Sequence, residues 1–311
     1  MSAVCALLPS LALAQPISGT FRSFERSWTH LGGTALRNSR VPLPAPPIQT
    51  PTWVQNRDRN NALISFVGQA GLAVFAGRTA SDGLVFAAGR IATQPIPPNP
   101  FRLYAFSRND GSVRWQSPIE SPASDSFSSP TLDENNGTVI YCSGYRVQAF
   151  SIATGEPLWT RELDSQVVNA SPLVTSDLWP ANRLFITDYA GLNPIVEASV
   201  YCINVDPFHE SLNPYQPGDL VWSTCIGSSS GNSVSYLPRS LGGEGLVFVA
   251  TATGQPGTTP GQIRAYSAAS TLPEPDAIWT HVNEIPQGYF GGVCVLPASA
   301  EMPADSPPCL Y

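Results

Sequence analysis

The chain of 311 residues contains no lysine; all 16 of its basic residues are arginine. It also has only two methionines, a compositional habit to which no mechanism attaches. Charge of either sign is scarce at 13%, and the balance is acidic, with a net charge of −7 and a pI near 4.9. Such a surface disfavours nucleic acid and anionic membrane as partners. No apolar run reaches the roughly 20 residues of a spanning helix, and no long stretch shows a helical period. There is no C-x-x-C, which removes the common zinc and redox motifs, and no G-x-S-x-G around the serines of "GSSSGNSVS" (227–235). The three histidines, His30, His209 and His281, lie far apart, and each is expected to be an ordinary surface or packing residue. The acidic stretch "LDENNGT" (132–138) lacks the ligand spacing of a calcium loop and is expected to be a hairpin turn. No catalytic or metal-ligating residue is therefore assigned.

Hydrophobic residues make up 42% of the chain, and proline (31) and glycine (25) are plentiful. That mixture argues against disorder and for a turn-rich, mostly β protein. The opening "MSAVCALLPSLALAQP" holds a short apolar run ending in Ala12-Leu13-Ala14, a small-x-small cleavage pattern. Residues 1–14 are expected to be a secretory signal, although no arginine precedes Arg22. Cys5 would leave with it. Cys142, Cys202, Cys225, Cys294 and Cys309 remain, an odd number in a compartment that permits disulfides. Cys202 and Cys225 flank one hairpin and are a candidate bridge; buried free thiols are the competing expectation.

An internal repeat organises the rest. "RLYAFSRNDGSVRW" (102–115) returns 44 residues later as "RVQAFSIATGEPLW" (146–159). The apolar element recurs as "VYCI" (200–203) and "IRAY" (263–266), and the tryptophan recurs as Trp222 and Trp279. In these later copies the turn has grown, as a surface loop tolerates. Two further apolar runs precede each copy, such as "SFSSPTL" and "GTVIYCSG", so each unit is four short strands. Runs such as "LVFVA" and "RLFIT" are apolar on both faces and must be covered on both sides. The fold class expected is all-β: a β-propeller of four-stranded antiparallel blades, with four full blades and the start of a fifth at "YFGGVCVL" (289–296). Trp115, Trp159, Trp222 and Trp279 are the expected wedges between blades, each burying on the order of 200 Å2. Gly111 and Gly155, ahead of the first two, supply the positive φ of a tight turn.

The pattern "LYAF…GSVRW…SSPTL…GTVIYCSG" resembles the repeat of PQQ-type (quinoprotein-like) β-propellers. "SWTHLGGTALRNSRVPLPAPPIQTPTWV" (27–54) resembles their opening, and by that likeness Trp53 would sit on a strand closing the last blade. The resemblance implies residues 15–46 as a lead-in and 47–311 as the propeller. It also implies a fragment, because such rings close with about seven or eight blades. Some members are PQQ- and calcium-dependent dehydrogenases, with an adjacent cysteine pair, a tryptophan, a catalytic aspartate and acidic or amide calcium ligands; others bind no quinone. This chain has no Cys-Cys and no lysine, a common quinone contact. The resemblance thus implies a secreted, extracytoplasmic, non-catalytic platform with a protein or polysaccharide partner at its rim loops and no cofactor. The alternative is a PQQ- and calcium-dependent dehydrogenase whose site lies partly beyond Tyr311.

Overall fold

The structure, a computed structural model, describes residues 27, 29–37, 51–66, 71–77, 82–92, 101–120, 128–189, 197–228, 231–241, 244–251, 260–285, 288–289, 291–296 and 309–310. The expected signal at residues 1–14 and most of the lead-in lie outside them.

Blade one contains β1 (Ile64–Phe66), β2 (Ala73–Phe75), β3 (Leu84–Ile91), β4 (Phe101–Ser107) and β5 (Val113–Pro118). Its order is β1-β3-β4-β5; β2 lies along the same edge of β3 as β1, with Ala73 opposite Phe86 and Ile64 opposite Ile91. Blade two is β6 (Thr131–Asp133), β7 (Thr138–Ser151) and β8 (Pro157–Val167). The amide of Ile152 donates to the carbonyl of Gly137 at 2.9 Å, so β7 folds back on itself at Gly144 (φ 55) and supplies the second and third strands. Blade three is β9 (Leu173–Val174), β10 (Arg183–Thr187), β11 (Ala198–Asn204) and β12 (Leu220–Gly227). Blade four is β13 (Ser235–Leu237), β14 (Leu246–Ala250), β15 (Gln262–Ser267) and β16 (Trp279–Val282), with a short 3-10 turn at Arg239–Leu241. The fifth unit begins with β17 (Val295–Leu296) paired to β18 (Cys309–Leu310). All pairings are antiparallel, and the short strands β2, β6, β9, β13 and β17 stand side by side at the axis.

The both-sided apolar pattern is explained by the stacking. One core, with Phe86, Trp115, Tyr141 and Phe150, lies between blades one and two. A second, with Ile140, Cys142, Tyr201 and Ile203, joins blades two and three, and a third, with Phe185, Trp222, Tyr236 and Tyr266, joins blades three and four. The central strands of blades two and three thus face a sibling on each side, whereas the outer face of blade one, with Val85, Ala87, Tyr104 and Phe106, packs with Ile64 of its own sheet and with Trp53. Burial on the order of 25 cal/mol per Å2 holds neighbouring sheets together.

The repeat's glycines have a second reason to be glycine. A Cβ on Gly155 (φ 74) would stand 2.6 Å from the ring of Trp115, and one on Gly111 (φ 71) 2.6 Å from the ring of Trp53. Each turn therefore rests on the tryptophan of the unit before it. The indole nitrogens complete the contact: Trp115 donates to the Ile152 carbonyl (2.9 Å), and Trp53 to that of Arg108 (2.8 Å). Trp53 therefore does not sit on a strand as expected; it docks on blade one's turn, as Trp115 docks on blade two's. Trp159 is half-buried under Gly218. Trp222 is buried between Phe185 and Tyr266, and its nitrogen finds no partner among the described residues. Trp279 departs from the expected wedge: it is 45% exposed and stacks on His281, on a strand whose four residues are all exposed. The described residues place no following turn against it.

The bridge between Cys202 and Cys225 is not formed. Cys202 stands opposite Trp222 and Cys225 opposite Ser199, so the hairpin register separates the thiols and both are free.

Candidate interaction site at the propeller axis

Strands that converge on an axis leave little room, and the residue two or three positions before each first strand is small: Gly71, Ser129, Ser171, Ser233 and Gly292. The hydroxyls form a ladder around the axis. Ser129 Oγ accepts from the Gly71 amide (2.6 Å), Ser171 Oγ from that of Ser129 (2.9 Å), and Ser233 Oγ from that of Ser171 (2.9 Å). At the fifth unit a Cβ on Gly292 would approach the Ser233 carbonyl to 2.8 Å, so the backbone itself closes in. Two positions further on, Thr131 donates to the Pro172 carbonyl (2.6 Å) and Ser235 to that of Val293. Thus Ser233 and Ser235, in the stretch 227–235 that lacks a nucleophile motif, take part in this ladder.

One position beyond those hydroxyls, the amides of four successive blades face the axis, and residues 29–36 supply an acceptor to each. Leu132 donates to the Thr29 carbonyl (2.9 Å), Tyr236 to Ala35 (3.0 Å) and Val295 to Leu36 (2.9 Å). The fourth acceptor is a side chain: Val174 donates to His30 Nε2 at 3.0 Å. Nε2 also lies 3.1 Å from the Val174 carbonyl; the donating amide assigns it as the bare nitrogen and the proton to Nδ1, 2.7 Å from Thr29 Oγ1. Burial, reinforced by the Arg37 charge, lowers the His30 pKa to about 3 and keeps the ring neutral.

Arg37 anchors this axial segment from the donor side. Its guanidinium gives hydrogen bonds to the carbonyls of Val234, Leu31 (3.2 Å), Ser171 (2.8 Å) and Pro172 (3.1 Å). Burial lowers its pKa to about 9, and carbonyl dipoles take the place of a carboxylate. The segment turns tightly at Gly32 (φ 78) and Gly33 (φ 92); a Cβ on Gly32 would meet the Arg37 backbone at 3.0 Å. That is the physical need behind the Gly-Gly pair of the opening motif. Nothing in the sequence set Arg37 apart from Arg40 three residues on, and the ladder's signal was a small residue at the same place in every unit.

Beside the segment lies a well of about 320 Å3, walled by Thr29, His30, Leu36, Asp133, Val174 and Pro238 and edged by Glu134, Asn135, Thr175 and Ser176. Burial raises the Asp133 pKa to about 6, and the nearby Asp206 adds to it, although the Asn136 amide donates to both carboxylates (2.7 and 2.8 Å). The stretch 132–138 is the hairpin turn expected of it. His209 stands exposed in the long loop of blade three, and His281 lies exposed on β16. The structure brings neither near His30.

A family model described as outer membrane protein assembly factor BamB, built on the PQQ-like repeat, matches residues 50–206, half of the chain. The chain belongs to this PQQ-like repeat family. Among solved structures, a europium-containing methanol dehydrogenase aligns with a TM-score of 0.58 at 12% identity, over 91% of this chain and 54% of that one. BamB from Moraxella catarrhalis aligns at 0.37 and 12% over 76% of each chain. The quinohemoprotein alcohol dehydrogenase from Comamonas testosteroni aligns at 0.40 and 13%, over 72% of this chain and 49% of that. The PQQ-like chain thus spans about half the length of the methanol dehydrogenase it overlays. A comparison with curated proteins finds no match.

The described axis is lined by polar groups of this chain. Its groups are serine and threonine hydroxyls, backbone carbonyls, the His30 imidazole and the Arg37 guanidinium, and no three His, Cys, Asp or Glu among the described residues gather where they could hold a metal ion. The buried thiols of Cys142 and Cys202 sit on different blades.

Proposed function

We propose that this PQQ-like propeller is a non-catalytic, extracytoplasmic platform that holds a protein or polysaccharide partner through the loops at its rim. One observation carries the reading: the chain itself fills the axis, with four acceptors on the inner strand edges and the Arg37 guanidinium on three inner-strand carbonyls. A segment so fully hydrogen-bonded is expensive to displace, since each buried group left without a partner costs about 1–3 kcal/mol. No helix among the described residues is long and apolar enough to cross a membrane. Residues 1–14 serve as the export signal in this reading, which N-terminal sequencing of the exported protein checks by a start at Gln15.

The competing dehydrogenase reading makes a different demand. The protein is incubated with PQQ and Ca2+, and reduction of an artificial electron acceptor by alcohols and sugars is followed, together with the absorbance of bound quinone after gel filtration. No retained quinone and no turnover are expected. Acceptor reduction that requires both PQQ and Ca2+ overturns the platform reading.

A further inference from the structure

In an antiparallel four-stranded blade, the turn between strands one and two and that between strands three and four lie at the same end. In blade two both turns are short and polar, as in Asn135-Asn136-Gly137, and so is the turn between the last two strands of blade one at Asn109-Asp110-Gly111. In blades three and four they are long and carry exposed large apolar side chains: Trp179 (62% exposed), Phe208 (51%), Leu212 (59%), Leu241 and Leu272. These loops are also tied together. The Asn182 amide donates to Asp206 (2.6 Å), and Arg183, buried under the Tyr215 ring, donates to Asn204 and Asn213. Asp177 accepts from Tyr236 Oη (2.7 Å) and from the Arg239 amide (2.8 Å), which joins the Trp179 loop to the Leu241 turn. A surface held by buried polar ties is preorganised, which lowers the entropy lost on binding.

Acids surround these apolar groups. Glu210, Asp219, Glu244, Glu274 and Asp276 are exposed at this end of blades three and four, with Glu134 of blade two beside them, and among the described residues of these turns one arginine, Arg239, is exposed. The axial well opens among the same turns, with Glu134 on its edge and no basic residue except neutral His30 in its wall. The geometry points to this end of blades three and four as the docking face for a polypeptide segment with apolar side chains flanked by arginine or lysine, one cation entering the well beside Glu134. The inference rests on the platform reading and names its surface and the chemistry of its partner. Apolar anchors ringed by complementary charge give affinity at the centre and steering at the rim.

The test uses the full chain and a short fluorescent peptide alternating Leu/Trp with Arg, read by anisotropy. Two controls replace its Arg by Glu or its Leu/Trp by Ser. The basic apolar peptide alone is expected to bind, more weakly as salt rises from about 0.05 to 0.5 M. The double variant Phe208→Ser/Leu212→Ser is expected to weaken it about tenfold or more, as loss of two exposed anchors would, and Glu134→Gln to reduce the salt dependence. Circular dichroism and unfolding midpoints confirm that both variants fold. Equal binding of all three peptides, or binding that both variants leave unchanged, overturns this surface. Concentration-dependent self-association abolished by the double variant would assign the face to a second copy and overturn it too. Acceptor reduction with PQQ and Ca2+ would instead sink the platform reading, so the two failures are distinguishable.

Discussion

Two glycines with nearly the same backbone twist do different work. Gly155 (φ 74) and Gly137 (φ 65) both occupy the left-handed region, where a Cβ costs roughly 1–2 kcal/mol. A Cβ on Gly137 would meet nothing within 4 Å, whereas one on Gly155 would meet Trp115 at 2.6 Å. Overpacking a buried ring adds about 1–3 kcal/mol. Gly155→Ala is therefore expected to destabilise the protein by roughly 2–5 kcal/mol and Gly137→Ala by only about 1–2 in urea unfolding. Equal losses would mean that the indole does not sit beneath the turn. The spacing of Gly155 and Trp159 announced a turn, and that much was legible. The partner of Gly155 was not, because its contact is with the previous unit's tryptophan, forty residues earlier.

At the scale of elements, blades two and three are linked where Asn136 donates to both Asp133 and Asp206. Asp133 titrates at about 6 in the fold against 3.8 ordinarily, because burial first and Asp206 second oppose its charge. The folded protein thus holds a proton that the unfolded chain releases between those values. The stability from this group is present in full below pH 3.8 and is lost as the pH rises through 6, by at most about 3 kcal/mol. Asp133→Asn is expected to flatten the urea midpoint over that window relative to the wild-type slope; parallel slopes would place the titration elsewhere. Strand composition predicted which runs form each blade, since two-sided apolar stretches such as Leu184–Ile186 can only be interior. It could not predict the Asp133–Asn136–Asp206 link. Hydrogen bonds between turns leave no periodic trace, and an Asn-Gly turn looks the same whether its amide faces water or two carboxylates.

For the whole molecule the axial segment raises the largest question, because it was visible in the sequence only as an opening motif. Its Gly-Gly pair and arginine are ordinary residues until the fold brings Ser171, Pro172 and Val234 around Arg37. Deleting residues 1–37 would leave the amides of Leu132, Val174, Tyr236 and Val295 without their acceptors, on strand edges that invite pairing with another chain. At about 1–3 kcal/mol for each orphaned group, the loss is expected to reach roughly 4 kcal/mol or more. Removing residues 1–14 alone touches none of these bonds. The longer deletion is therefore expected to lower the thermal midpoint and to shift the protein to oligomers in light scattering, whereas the shorter one keeps both values. Arg37→Gln separates the contributions: it retains all four acceptors but gives up the charge and several donors, so its midpoint should fall between the two deletions. If the longer deletion changes neither stability nor mass, the inner edges are satisfied by water, and residues 29–37 are a strap that lies on the axis without closing it.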